Sequence, residues 1–245
     1  RGMEFTLNTK NLTGEFAWSS NFNISFNKNK VLEVGVDGRP IYGSAANANN
    51  AFITKPGYPI ASFYGYKYIG VFQSEEELAK YPHLSGDKVG DGRYEDVNKD
   101  GVLDQNDKTI LGDNNPLFTA GFSNSFSYKN FTLDIQFTGS YGAEVFSFYK
   151  RMCGIYHGDR NGMIEQLGRW QSKDQPGDGI HFRPTRTPSG WQRDPSSAWV
   201  QDASYLRLRN LTLGYNFDQK VLDKMKMKGL RLYVTGQNLF TITNY

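Results

Sequence analysis

The sequence predicts an all-β fold, a transmembrane antiparallel β-barrel segment of about six strands joined by long extracellular loops, and three observations lead there. Apolar and polar residues alternate with a period of two, which gives a strand one apolar and one polar face. The alternation persists for ten residues or more in Glu15 to Asn27 and in both arms of Phe118 to Tyr141. Strands of soluble proteins run about 5 to 6 residues, whereas a tilted strand crossing a bilayer needs about 9 to 11. Finally, the connections between strands are by turns short and long, as in outer-membrane barrels with short periplasmic turns and long extracellular loops.

Taken in order, Gly2 to Thr9 is a short alternating strand and Lys10 to Gly14 a polar turn. Glu15 to Asn27 sets Phe16, Trp18, Phe22, Ile24 and Phe26 against Glu15, Ala17, Ser19, Asn21, Asn23 and Ser25. Regularity then drops from Lys28 to Leu117, apart from a weak extended run at Ile60 to Phe72 and a helical turn at Ser74 to Tyr81. There Ser74 is placed to cap and Glu77 holds the capping-box position. Phe118, Ala120, Phe122, Phe126 and Tyr128 share one parity, broken by Asn124; after Lys129 and Asn130 the row resumes as Phe131, Leu133, Ile135 and Phe137. Two residues therefore close a hairpin. A second long connection, Gly142 to Ala203, is punctuated by prolines. In Tyr205 to Phe217 the apolar parity switches from Leu206 and Leu208 to Leu211, Leu213 and Tyr215, which places a β-bulge near Arg209 and Asn210. The lysine-rich turn Asp218 to Lys228 leads to a last strand through Leu230, Leu232 and Val234. On this assignment the loops at 28–117 and 142–203 belong to one barrel domain and lie on the cell surface.

Composition narrows the classes. With 245 residues, 38% hydrophobic and 15% aromatic, the chain can bury a core and is not a disordered type. No run approaches the roughly 18 apolar residues of a transmembrane helix, and alternating strands depress mean hydropathy in any case. A formal charge of +3, with basic residues scattered, argues against nucleic acid as a partner. Cys153 is the sole cysteine, which leaves no internal disulfide. The chain opens at Arg1 without an initiator Met and stops after a strand-like run, so the expectation is a piece of a longer protein.

Asp96 to Asp107, DVNKDGVLDQND, sets oxygen-bearing side chains at positions one, three, five, nine and twelve (Asp96, Asn98, Asp100, Asp104, Asp107), glycine at six (Gly101) and a free carbonyl at seven (Val102). This is EF-hand-type calcium spacing with Asp for Glu at the last position. Calcium takes six to eight hard oxygens, and glycine permits the sharp turn that makes them converge. The expectation is a structural Ca2+ site, with Mg2+ as the substitute because the shorter Asp107 closes less readily; the bland alternative is an Asx-rich turn satisfying its own backbone. Elsewhere the chemistry is thin. His83, His157 and His181 share no ligand spacing, and neither a nucleophile elbow, a phosphate loop nor a dinucleotide fingerprint is present. No catalytic residue is assigned and the chain is read as not an enzyme. Tyr156, Trp170, Trp191 and Trp199, in the second long connection, are candidates for stacking on a ligand or partner.

The segments GYPIASFYGYKYIGVF, GDGRYEDVNKDGVLDQNDKTILGDNNPLFTAGFSNSFSYKNFTLDIQFTGSYG, ASYLRLRNLTLGYNF and LRLYVTGQNLFTITNY together resemble the C-terminal barrel region of SusC/RagA-type TonB-dependent transporters of the Bacteroidota outer membrane. The resemblance implies a barrel of about 22 strands around a plug. It also implies import of oligosaccharide or peptide cargo energised through TonB, and a SusD-like surface lipoprotein capping the mouth. The plug and the TonB-contacting segment have no counterpart in these residues, so the expectation is a multi-pass part of such a wall in contact with outer-membrane lipid. The rival from another class is a soluble, calcium-stabilised carbohydrate-binding β-sandwich, in which Phe122, Phe126, Leu133 and Ile135 would face a protein core.

Overall fold

The computed structural model describes residues 1–45, 48–154, 161–185 and 194–245. In chain order the strands are β1 (Gly2–Leu12), β2 (Phe16–Asn27), β3 (Ile41–Ala45), β4 (Ala48–Thr54), β5 (Ser62–Gly65), β6 (Tyr68–Val71), β7 (Gly92–Tyr94), β8 (Thr109–Gly112), β9 (Phe118–Tyr128), β10 (Phe131–Tyr141), β11 (Glu144–Phe146), β12 (Val200–Asp202), β13 (Tyr205–Asn216) and β14 (Arg231–Thr243). They are joined by short helices α1 (Glu75–Lys80), α2 (Phe148–Cys153) and α3 (Gln219–Lys224) and by 3-10 turns at Gln105–Asp107, Ile164–Gly168 and Ser197–Trp199. None of these helices is long and apolar enough to cross a membrane. The chain divides into two compact units, residues 1–28, 115–144 and 202–245 in the first and 29–114 with 145–201 in the second.

The first unit is a six-stranded meander in the order β1-β2-β9-β10-β13-β14, every pair antiparallel. Register carries the apolar parity of one strand onto the next. Leu7 opposes Phe22, Phe22 opposes Phe122, Phe122 opposes Phe137, Phe137 opposes Leu208 and Leu208 opposes Phe240, so one apolar row crosses all six strands. Ring pairs knit the rows: Phe22–Phe122 at 6.5 Å, Phe26–Phe118 at 6.0 Å, Trp18–Phe126 at 5.8 Å and Phe137–Phe240 at 6.4 Å. Asn124, the one break in its row, does not go unpaired, because its Oδ1 accepts from Trp18 Nε1 (2.9 Å) and from the Ser20 hydroxyl (2.7 Å).

Three register shifts interrupt the sheet, one of them between β13 and β14, where Leu208 and Asn210 face Phe240 and Gln237. In β13 the partners of Gln136 and Phe137 are Asn210 and Leu208, which leaves Arg209 as the extra residue. The switch of parity expected near Arg209 and Asn210 is therefore real, and it brings Leu206, Leu208, Leu211, Leu213 and Tyr215 to one side. A second bulge was not legible: Lys10 pairs Ser19 and Leu12 pairs Trp18, so Asn11 is extra and β1 continues three residues past the expected Thr9. The opposite face is hydroxyl- and amide-rich. Ser125 donates to Asp134 (2.6 Å), Arg207 Nε to Thr241 (3.0 Å), and Arg231 reaches over Gly214 to Thr132 (3.2 Å). A Cβ on Gly214 would stand 2.9 Å from that guanidinium, so the crossing depends on glycine.

The second unit shows that the long connections are folded rather than irregular. Strands β3, β4, β5 and β8 form an antiparallel sheet in that order, and β6 pairs with β7. The extended run expected at Ile60 to Phe72 is two strands, broken between Gly65 and Tyr68. Ser74 caps α1 by accepting the Glu77 N–H (3.2 Å), while the Glu77 carboxylate accepts from Gln73 N–H (3.0 Å) instead of closing the box on Ser74. Two small cores hold the unit, Val71 with Phe182 and Trp199, and Tyr66 with Tyr94 and Leu103.

Candidate functional site

The acidic loop is built on its own backbone. Gly101 lies at φ +84° and Lys99 at φ +62°, the left-handed conformations that let the chain fold back on Asp96. Asp96 then accepts from Lys99 N–H (2.6 Å) and Gly101 N–H (2.8 Å). Asn98 accepts from Asp100 N–H (2.9 Å), and Asp100 from Val102 N–H (2.9 Å). At the far end Asp104 caps a short 3-10 turn over Gln105–Asp107. Asp107 is fully buried, with one oxygen accepting from Val97 (2.8 Å) and Asn98 (3.4 Å) and the other from Asp104 (2.8 Å). A carboxylate taken out of water in this way needs its lone pairs engaged, and three backbone donors supply that. Among the described residues no group of three or more His, Cys, Asp or Glu side chains stands in metal-holding geometry. The donor set is all hard oxygen and carries the calcium spacing, but the Asp107 carboxylate is committed to the loop's own N–H groups.

The second unit also holds several partly buried charged pairs. Lys108, which follows Asp107, puts its ammonium 4.9 Å from the centre of the Tyr66 ring and 3.8 Å from Asp194. Burial pushes the Asp194 carboxyl above its usual range, against the pull of Lys108 and Arg151. Burial, followed by the charges of Asp194, Asp107 and Asp104, drives the Tyr66 phenol far up, so it stays neutral. Asp91, almost wholly buried, takes Arg183 in a two-point ion pair at 2.7 and 3.2 Å. That pair ties residue 91, before β7, to residue 183 in the second long connection. Asp178 accepts N–H groups of Ile180 (2.8 Å) and His181 (2.9 Å) and contacts His181 Nδ1 at 2.5 Å. Burial opposes its charge, yet these donors and the histidine hold its carboxyl below the ordinary value.

The aromatic candidates divide. Trp199 is 2% exposed, packs on Phe182 with ring centres 5.8 Å apart and donates to the Asp194 carbonyl (3.3 Å), so its ring faces are spent on the core. Trp170 is half-buried against the same core and lies over Gly90, where a Cβ would stand 2.5 Å from its ring. Tyr156 and Trp191 fall outside the described residues. Sequence reasoning missed the Asp91–Arg183 and Lys108–Asp194 pairs, because partners 92 and 86 positions apart leave no periodic trace.

A meander of strands 11 to 13 residues long, apolar on one side and polar on the other, defines the class: a segment of a transmembrane β-barrel, accompanied in the same chain by a second folded unit. No family model matches the chain. Over its whole length the chain is 35% identical to TonB-dependent receptor P3 of Formosa agariphila, covering 24% of that protein. It is 33% identical to TonB-dependent receptor P26 of the same organism and 26% identical to TonB-dependent receptor SusC of Bacteroides thetaiotaomicron, covering 25% and 23% of them. The solved RagAB peptide transporter superposes on the entire chain with a TM-score of 0.78 at 20% identity, over 26% of its own chain. Over its whole length the chain thus resembles one part of TonB-dependent receptors, SusC among them, and it spans about a quarter of the length of the curated relatives it matches. Members of this family are outer-membrane β-barrels, and the fold likeness sets aside the soluble β-sandwich.

Proposed function

We propose that the chain forms part of the wall and outer mouth of a TonB-dependent importer of oligosaccharide or peptide fragments. The setting is the outer membrane of a Gram-negative bacterium of the Bacteroidota type. The observation that carries this reading is the six-strand sheet itself, whose apolar parity is handed across every strand pair, bulges included, while its other face carries small polar groups suited to a watery lumen. In this reading the second unit faces the outside and meets a SusD-like surface lipoprotein, with energy arriving from TonB through parts of the receptor beyond these residues. The chain positions and encloses cargo and catalyses nothing. Affinity isolation of the receptor from detergent-solubilised outer membranes tests this: recovery with a surface lipoprotein is expected. Recovery as a soluble species of about the 27.8 kDa mass of this chain overturns it.

The acidic loop is read as a structural cation site, Ca2+ by preference and Mg2+ as its substitute, with Asp96, Asn98, Asp100, the Val102 carbonyl, Asp104 and Asp107 as donors. The oxygen spacing and the left-handed Gly101 support this. The dense N–H bonding to Asp96 and Asp107 favours the second reading, a self-sufficient Asx turn. Calorimetric titration of chelator-treated receptor with Ca2+ separates them. Saturable binding lost in Asp96→Asn with Asp100→Asn supports the cation, and heat indistinguishable from dilution supports the turn.

A further inference from the structure

The lysine-rich connection from β13 to β14 is folded rather than a loose solvated turn. Leu222 of α3 is 4% exposed, Lys226 takes the left-handed conformation (φ +54°), and the Met227 N–H bonds back to the Leu222 carbonyl (2.9 Å). Its start is tied to the neighbouring hairpin, where Asn130 Nδ2 donates to the Asn216 carbonyl and to Asp218, both at 2.8 Å. The side chains sort by spacing. Lys220 and Lys224 stand four apart and share one side of α3, Val221 and Met225 share the next, and Leu222 turns inward. Lys220, Lys224, Lys226 and Lys228 are exposed, and none of them has an ion-pair partner among the described residues. Val221, Met225 and Met227 are 41%, 50% and 42% exposed beside them. Against the four lysines stand two aspartates, Asp218 and Asp223, each bonded to a neutral amide, so a surplus of two positive charges remains.

At the same end of the sheet an aromatic row crosses the strands. Phe16 opposes Tyr128, Tyr128 opposes Phe131, and Phe131 opposes Tyr215 with ring centres 4.8 Å apart. Phe16, Tyr128 and Phe131 are exposed on the apolar parity. Such rows mark headgroup level in membrane barrels. The chain passes through Tyr215 and Phe217 into α3, so the lysines emerge just past that level.

We propose that this connection is an interfacial anchor for the phospholipid leaflet on the periplasmic side. Val221, Met225 and Met227 enter among the headgroups, while the lysines bind anionic headgroup phosphates of the phosphatidylglycerol kind. The inference rests on the importer reading, which places the connections at 28–117 and 142–203 outside and this turn, at the opposite end of the strands, on the inner leaflet. The surplus of positive charge complements an anionic surface. The exposed apolar column favours a lipid surface over a soluble polyanion, which would leave those side chains in water. The contact lies beyond the strands and supplies what an apolar wall lacks, a preference among headgroups.

The test uses the full receptor in nanodiscs of mixed phosphatidylcholine and phosphatidylglycerol, ejected into a native mass spectrometer. Phosphatidylglycerol should be retained preferentially. Replacing Lys220, Lys224, Lys226 and Lys228 together by glutamine should cut that preference about fivefold, the worth of one lysine at an anionic surface. A fluorescent label on Met225→Cys, in a receptor otherwise without cysteine, should be quenched by lipid carrying a headgroup nitroxide and shielded from iodide. Heat-modifiable migration on gels reports an intact barrel for each variant. An intact quadruple variant with unchanged lipid preference, or a label open to iodide and untouched by the headgroup nitroxide, overturns the inference while leaving the importer reading standing. Lysine-dependent retention of peptidoglycan fragments without any lipid preference also overturns it, by assigning the turn to a wall polymer. Absence of the unmodified receptor from the outer membrane would instead sink the importer reading.

Discussion

An arginine moved down one strand measures depth. Phe118, Phe122 and Tyr128 all lie on the apolar parity of β9, and Phe122 is next to the midpoint of that eleven-residue strand. Four residues at about 3.4 Å, tilted by about 40°, put Phe118 roughly 10 Å above Phe122, and Tyr128 lies further in the other direction. An apolar band about 25 Å tall then leaves Phe122 near the midplane and the other two near the interfaces. An arginine costs about 2–4 kcal/mol at the midplane of such a barrel and about 0–1 kcal/mol near its edges. Phe122→Arg also gives up the ring contact with Phe22 at 6.5 Å, worth about 0.5–1.5 kcal/mol, which Phe122→Leu reports separately. Ser123→Arg, on the polar face, should cost almost nothing. The assay is urea-dependent folding of the full receptor into lipid vesicles, read by heat-modifiable migration. A protein core has no depth axis, so equal costs at Phe118, Phe122 and Tyr128 would refute the reasoning.

Other consequences follow from individual contacts. Deleting Arg209 removes the bulge and sends either Leu206 and Leu208 or Leu211 and Leu213 to the polar face, so assembled receptor in the outer membrane should fall severely, whereas Arg209→Ala should assemble normally. Arg183→Ala removes the guanidinium from the nearly buried Asp91 carboxylate, which keeps the Lys88 N–H (3.0 Å), and should destabilise the second unit by about 1.5–3 kcal/mol, seen as faster hydrogen exchange in β6 and β7 with the long strands unchanged. The Asp178 carboxyl is depressed in the folded chain, so its contribution is present above the ordinary value of 3.8 and lost as pH falls through the lower folded value. Exchange protection of Ile180 and His181 should accordingly hold at neutral pH and fade only below that value, and Asp178→Asn should remove this acid dependence.

What the sequence displays and what it hides follow from range. The hairpin at Lys129 and Asn130, the two-faced β2 and the parity switch beside Arg209 are legible because a strand with one face in lipid and one in water must write its alternation into consecutive residues. The Asn11 bulge escaped because the polar run Thr9 to Asn11 looks like the turn that follows it. In the second unit strands of three to seven residues are fixed by distant partners, as where β5 meets β8 and the Tyr66 backbone bonds Pro195 (2.9 Å) and Ser197 (3.0 Å). Gly65 illustrates the point: a Cβ there would stand 2.1 Å from the Pro195 carbonyl, a constraint with no local signature. The acidic loop was visible as a spacing of oxygens, but that spacing leaves open how far those oxygens are committed to backbone donors. Trp199 reads identically in a core or on a surface until Phe182 and Val71 are seen around it.

The most direct measurement of the central claim is a nitroxide scan of β9 and β10 in the full receptor reconstituted in lipid, with Cys153 replaced by serine. Labels at Phe122, Phe126, Leu133 and Phe137 should collide readily with oxygen dissolved in the bilayer and hardly at all with a water-soluble nickel chelate. Labels at Ser123, Ser125, Asp134 and Gln136 should show the reverse, giving two out-of-phase waves of period two. If both sets of labels were shielded from oxygen and nickel alike, the apolar rows would be facing protein, and the barrel-wall account would be wrong.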